Sequence, residues 1–391
     1  MRTFSAQYIF TNTGSPLKRG IITTNENGTI TGIKDTGGNL QEKESVEFYN
    51  GIIVPGFVNC HCHLELSNLK GFVPPSSGLP EFIRAIREFR GSYTEALILS
   101  MSSADKEMAD EGIVLCADIC NNSSSFNLKT RSRIRYVNLL EVFGIDPEKA
   151  SRRMDEVLQL SKIAQSAGVP YWIIPHSLYS LSLPLLRLLK SETITNKITS
   201  IHFLETPAEM EFLAHHEGPI LESYNKSGLG TDRLETANNH SQGILEEITS
   251  SGNLILVHNT FADREIVQQV RTRTDLFWCL CPNSNLYIEN QLPPLNLLKE
   301  ENCEIVIGTD SLASNSRLSI LEELRTLQRS FPAIKLEDLI YWATLNGAKA
   351  LGEEKTFGTI QPGKKPGLLL LQDADLHEMK LLPESRVTRL I

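Results

Sequence analysis

The middle of this chain alternates between two kinds of segment, and that alternation limits its fold more than any other feature. Eight short apolar runs follow one another: "GIIVPGFVNCHCH", "GIVLCADIC", "IRYVNLLEVFG", "VPYWIIPHSLYS", "ITSIHFLET", "NLILVHNTF", "LFWCLCPNSN" and "CEIVIGTDS". Longer stretches of helical periodicity separate them, among them "LPEFIRAIREF", "ASRRMDEVLQLSKIAQSAG", "SILEELRTLQRSF" and "LEDLIYWATLNGAKAL". Strand-length apolar runs alternating with amphipathic helices are the pattern of parallel βαβ units. Eight of them are the arithmetic of a closed barrel, which takes about 250 residues. The expected fold class is α/β, a (β/α)8 TIM barrel.

The two ends read differently. "GIITTNENGTITGI" has two β-rich runs around Asn27-Gly28, a dipeptide that tolerates the positive φ of a tight turn. "GTIQPGKKPGLLLLQ" and "SRVTRLI" are also strand-like, with Pro-Gly punctuation. We expect a small β-sandwich domain built from both termini, residues 1–55 plus 355–391, and a barrel at 56–354. The stretch from Thr206 to Gly243 is long for a βα connection and is expected to be a helical insertion or lid.

Composition narrows the partners. The net charge is −9 and no basic cluster occurs, which argues against nucleic acid and anionic membranes. No apolar run approaches the roughly 20 residues of a membrane span, and "MRTFSAQYIF" lacks the apolar core of a signal peptide. The seven cysteines form no Cys-x-x-Cys pair and several sit inside apolar runs, as reduced, buried thiols of a cytoplasmic protein would. A small-molecule substrate is the expected partner.

Barrels carry their chemistry at the C-terminal ends of their strands. His61 and His63 end the first run, and residues two apart on a strand share a face. His176 ends the fourth run, His202 and Glu205 the fifth, His258 the sixth and Asp310 the eighth. Each has a bland reading alone: a structural histidine, a helix-capping aspartate, a solvated acid at a helix start. Their coincidence at one end of one barrel is what carries weight. His61, His63, His202 and Asp310 are a donor set for zinc or iron(II). A divalent ion there would acidify its water from a pKa far above neutrality to about 7. Glu205 is placed to move protons, and His258 to hydrogen-bond the nucleophile or the developing tetrahedral centre.

At these residues the chain resembles the amidohydrolase superfamily, in particular its chlorohydrolase and deaminase branch, with the S-adenosylhomocysteine, guanine and aminofutalosine deaminases. "PGFVNCHCHLELS", "PHSLYSLS", "IHFLETPAE", "LVHNT", "CPNSN" and "GTDSLASNSRLSILEEL" match its motifs in order. The resemblance implies one divalent metal, zinc or iron(II), on His61, His63, His202 and Asp310. It implies that Asp310 accepts a proton from water, that Glu205 passes it to a ring nitrogen, and that His258 orients the nucleophile. His176 becomes a candidate for substrate binding. No lysine follows the fourth strand, which favours a mononuclear site. Family habit suggests a homodimer. "KKPGLLLLQ" lacks the aspartate common near this branch's end, outside the barrel. Glu65, just past the second histidine, is expected to contact substrate.

The function expected is hydrolytic deamination of an amino-substituted nitrogen heterocycle, resembling a purine nucleoside such as aminofutalosine or S-adenosylhomocysteine. The alternative within hydrolysis is removal of chloride or cleavage of a cyclic C–N or amide bond. The alternative of another class is a catalytically inactive barrel acting as a binding protein, although such chains usually lose ligands.

Overall fold

The computed structural model describes residues 1–41, 45–89, 95–226, 228, 248, 252–271 and 275–391. Seven strands form a small mixed sheet from both chain ends: β1 (Arg2–Ile9), β2 (Leu17–Lys18), β3 (Ile21–Thr24), β4 (Ile30–Lys34), β5 (Glu47–Pro55), β14 (Leu368–Gln372) and β15 (Arg386–Arg389). The Asn27-Gly28 hairpin joins β3 to β4. β5 lies parallel to β1 and antiparallel to β14, so the last part of the chain pairs with the first. Phe4, Ile9, Ile22, Ile53, Leu368 and Leu370 form the core beneath it. The β unit is thus made from both termini, and its described strands link into one sheet.

Each of the eight apolar runs holds one strand of the barrel. β6 (Phe57–Cys62), β7 (Ile113–Cys120), β8 (Arg135–Val142) and β9 (Tyr171–Pro175) pair in chain order and in parallel. So do β10 (Ile198–Phe203), β11 (Asn253–His258), β12 (Leu276–Leu280) and β13 (Glu304–Ile307). These strands read as nearly unbroken apolar runs because both faces are covered. On β12, Leu276, Trp278 and Leu280 pack outward against helices, while Phe277 and Cys279 pack inward. Alternate residues of all eight strands, such as Val58, Ala117, Val137, Ile174, Ile255 and Val306, meet in one lumen cluster.

The two half-barrels join at two seams, both at the C-terminal mouth. His202 donates its backbone N–H to the carbonyl of His176 at 2.9 Å, joining β10 to β9. Thr309 and Asp310 donate theirs to the carbonyl of His61 at 3.0 and 3.1 Å, joining β13 to β6. Three of the four candidate metal ligands, His61, His202 and Asp310, are therefore also residues that close the barrel. In the expected insertion, helices span Pro207–His215 and Pro219–Lys226, and residues 229–243 lie outside the described part.

Candidate metal centre and active site

Strand geometry explains how the side chains converge. In β6, Asn59 pairs with Cys116 and Cys62 with Asp118, so three steps on β6 match two on β7. This bulge inverts the inward–outward alternation. Val58 and Cys60 face the lumen below it, and His61 and His63 meet at the mouth above it, while Cys62 joins the outer layer. His202 keeps the parity of Ile198, a lumen residue. His258 follows Val257, an inward residue, so a regular strand would turn it outward. A φ of 77° at His258 and 57° at Asn259 redirects the chain. Asp310 likewise has φ 58°. Strain of this kind gathers where function requires a particular aim. Gly308 is the other necessity: a Cβ there would lie 2.8 Å from the Cβ of His61.

The resulting cluster is tight and buried. His61 Nε2 and His63 Nε2 are 3.1 Å apart, and Asp310 Oδ1 lies 3.6 and 3.4 Å from them. A ring nitrogen of His202 completes the trio of imidazoles, all within 4.8 Å of one another. Burial, then the neighbouring His61, holds His63 well below the usual histidine range and lowers His202 as well. Neutral imidazoles are the form that binds metal. Burial pushes the Asp310 carboxyl up, but His61, His63 and His258 outweigh it, and Asp310 is held well below its ordinary range. Its Oδ2 accepts from Ser284 Oγ at 2.6 Å and from Ser314 Oγ, which leaves Oδ1 turned to the histidines. Three buried imidazoles converging on one carboxylate oxygen fit a divalent cation by number and type.

Glu205 and His258 sit beside this cluster. Glu205 Oε1 lies 3.6 Å from His258 Nε2. Burial raises the Glu205 carboxyl well above the usual range, and the charges of Asp310 and Glu209 add to it. Burial keeps His258 neutral. Asn285 Nδ2 donates to His258 Nδ1 at 3.1 Å, so the ring proton is on Nε2, facing Glu205. The arrangement can hold a proton on a carboxyl next to a cluster that could hold a divalent ion.

His176 lines the same cavity and its ring lies 4.6 Å from that of His202; Ser177 and Ser180 hydroxyls hold its Nδ1. Leu79, Phe82, Ile83 and Ile86 of one helix, with Tyr179 and Tyr224, make the apolar wall. Glu65 is a correction. It does not line the cavity; it accepts from the backbone N–H groups of Asn121 and Asn122 and from Asn122 Nδ2, at 2.8 to 3.3 Å. Burial raises it to about 8. These bonds tie its carboxyl to the loop after β7.

Sequence reasoning missed Glu141, Ser284, Ser314 and Asn285. Glu141 has the inward parity of Val137 and Leu139 at the end of the third run, so the strand-end rule applied to it as well. Ser284, Ser314 and Asn285 carry no signal at strand ends, since they reach the site from connections after β12 and β13.

Comparison with known proteins agrees with this architecture. The 5-methylthioadenosine/S-adenosylhomocysteine deaminase of Pyrococcus abyssi is 27% identical over 365 residues, covering 88% of this chain and 79% of that one. The Helicobacter pylori aminofutalosine deaminase structure with methylthio-coformycin superposes with a TM-score of 0.79 at 22% identity, covering 96% and 93%. A Xanthomonas campestris adenosine deaminase structure with bound zinc gives 0.64 at 18% identity, covering 94% and 84%. The amidohydrolase family model matches residues 52–386, and the chain belongs to that family.

Proposed function

We propose that this chain is a metal-dependent aminohydrolase that replaces an exocyclic amino group of a purine nucleoside-like substrate with oxygen and releases ammonia. The observation that carries the reading is the raised, buried Glu205 carboxyl set against the His61–His63–His202–Asp310 cluster. The deaminases among its relatives support it. Those four residues would hold a divalent ion, which would supply Lewis acidity and acidify water to near neutrality. Asp310 takes a proton from the attacking water. Glu205 delivers its proton to the ring nitrogen next to the amino-bearing carbon, takes up the proton released as the added hydroxyl becomes the carbonyl, and passes that one to the amine, which leaves as ammonia. His258, protonated on Nε2, donates to the oxygen that develops charge. His176 and the apolar wall position the substrate.

Zinc is our choice of metal, one ion per chain, and the zinc-bound relative supports it. A cytoplasmic homodimer is part of the same proposal; the free cysteines, six of them buried, support the compartment. The test is ammonia release by zinc-loaded and iron(II)-loaded protein offered adenosine, 5-methylthioadenosine, S-adenosylhomocysteine, aminofutalosine and guanine. Release from at least one nucleoside is expected. Silence across the panel with metal bound would move the assignment to chloride or amide hydrolysis.

A further inference from the structure

We propose that Glu141 is a positioning residue that fixes the His202 ring for metal binding, at the end of a hydrogen-bonded chain running from Glu65 through Asn121. The inference rests on the ligand set proposed above.

His202 Nδ1 donates to the carbonyl of His176 at 2.8 Å, which leaves Nε2 as the nitrogen free to bind. Behind that Nδ1, at 3.8 Å, stands Glu141 Oε1. The side chain of Glu141 is only 2% exposed, and Oε1 is buried without a hydrogen-bond partner. No lysine or arginine pairs with it among the described residues. A buried carboxylate needs a positive neighbour. Two imidazoles, His176 and His202, stand near it; of these, His202 is the one whose other nitrogen would hold a cation, which would make Nδ1–H more acidic and strengthen its pull on the carboxylate. Carboxylate behind histidine behind metal is a general way of orienting a ligand.

The rest of the chain explains why Glu141 stays in place. Its Oε2 accepts from Asn121 Nδ2 at 2.9 Å. The Asn121 backbone N–H is held by Glu65 Oε2 at 3.1 Å. Glu65 lies two residues after His63. The chain therefore ties the mouth of β6, through the ends of β7 and β8, to His202 on β10. Although Glu141 borders the cavity, its free oxygen is covered, which favours an orienting role over contact with substrate.

The test uses the full chain loaded with cobalt(II) and with zinc, in Glu141→Gln and Asn121→Ala. Glu141→Gln keeps an acceptor for Asn121 and removes the charge. Asn121→Ala removes the tether while leaving its backbone bond to Glu65, and it serves should the first variant fold poorly. Both are expected to change the visible cobalt(II) spectrum and to weaken zinc binding, by about 10- to 100-fold for Glu141→Gln. Glu141→Asp should restore part of the affinity, and KM should stay within about twofold of wild type. An unchanged spectrum and affinity in both variants would overturn the proposal. So would a raised KM with metal binding intact, which makes Glu141 a substrate contact. A second equivalent of metal that is lost with Glu141 would overturn it by making Glu141 a ligand. Wild-type protein that takes up no metal would overturn both this assignment and the ligand set beneath it.

Discussion

Replacing Lys129 with methionine should destabilise the barrel by about 3–5 kcal/mol, the usual cost of stranding one member of a buried ion pair. The side chain is 1% exposed, and its Nζ bonds to Asp118 Oδ2, to Asn138 Oδ1 at 2.7 Å and to Cys120 Sγ at 3.1 Å. The Tyr136 ring lies 5.3 Å away. Burial pulls the ammonium down, but Asp118 and Cys120 more than offset this and the group stays charged. Its partner Asp118 is fully buried, and its Oδ1 accepts from the Leu64 N–H at 2.7 Å, directly after His63. Removing Lys129 thus leaves an unpaired anion behind the candidate metal ligands. An unfolding entropy of about 2.1 cal/mol/K per residue over 391 residues is about 0.8 kcal/mol/K. The expected loss is then a melting temperature lower by about 4–6 °C. Calorimetry on metal-free protein measures it without the contribution of ligand binding. Lys129→Met with Asp118→Asn removes both charges and should recover at least half of the loss. A single variant melting within 1 °C of wild type, or a double variant no better than the single, would refute the reasoning.

Three further outcomes follow from other parts of the molecule. Burial raises Glu209 to about 7, above its unfolded value of 4.5, so it favours folding most below pH 4.5 and this contribution is lost as pH rises through 7, on the order of 3 kcal/mol. The difference between denaturant midpoints at pH 5 and pH 8 should be smaller in Glu209→Gln than in wild type; an equal difference in the two would count against this. Gly308→Ala puts a methyl 2.8 Å from His61 Cβ and 2.9 Å from Cys279 and Cys281 Sγ; a loss of about 1–3 kcal/mol should appear in thermal melts, together with weaker zinc binding in a titration. His63→Ala removes one of three clustered imidazoles and should abolish stoichiometric zinc uptake, measured by elemental analysis, while the circular dichroism spectrum stays that of wild type.

What could be read in advance followed from burial. The eight barrel strands were legible because both faces of each are covered, which writes them as apolar runs. His61 and His63 were legible as a pair because strand parity holds them together whichever way they point. That they point inward depends on the bulge between Asn59 and Cys62, which no residue type announces. His258 and Asp310 reach the mouth through left-handed backbone, and parity alone misplaces His258. Glu141 was within reach of the same strand-end rule that found the histidines, since it has inward parity at the end of its strand. Glu65 was misplaced because its neighbours in sequence are ligands, whereas its partners, Asn121 and Asn122, come from the next strand's loop. In the small β unit the strands were legible, but their pairing into one sheet depends on β5 meeting both β1 and β14 across most of the chain length.

The most direct test of the central claim compares wild type and Glu205→Gln, each loaded with one equivalent of zinc, on the best nucleoside of the panel. The amide cannot hold or deliver the proton that the buried carboxyl holds, so ammonia release should fall by about 10²–10⁴-fold while zinc content stays at one per chain. Undiminished ammonia release from the zinc-loaded variant would contradict the account.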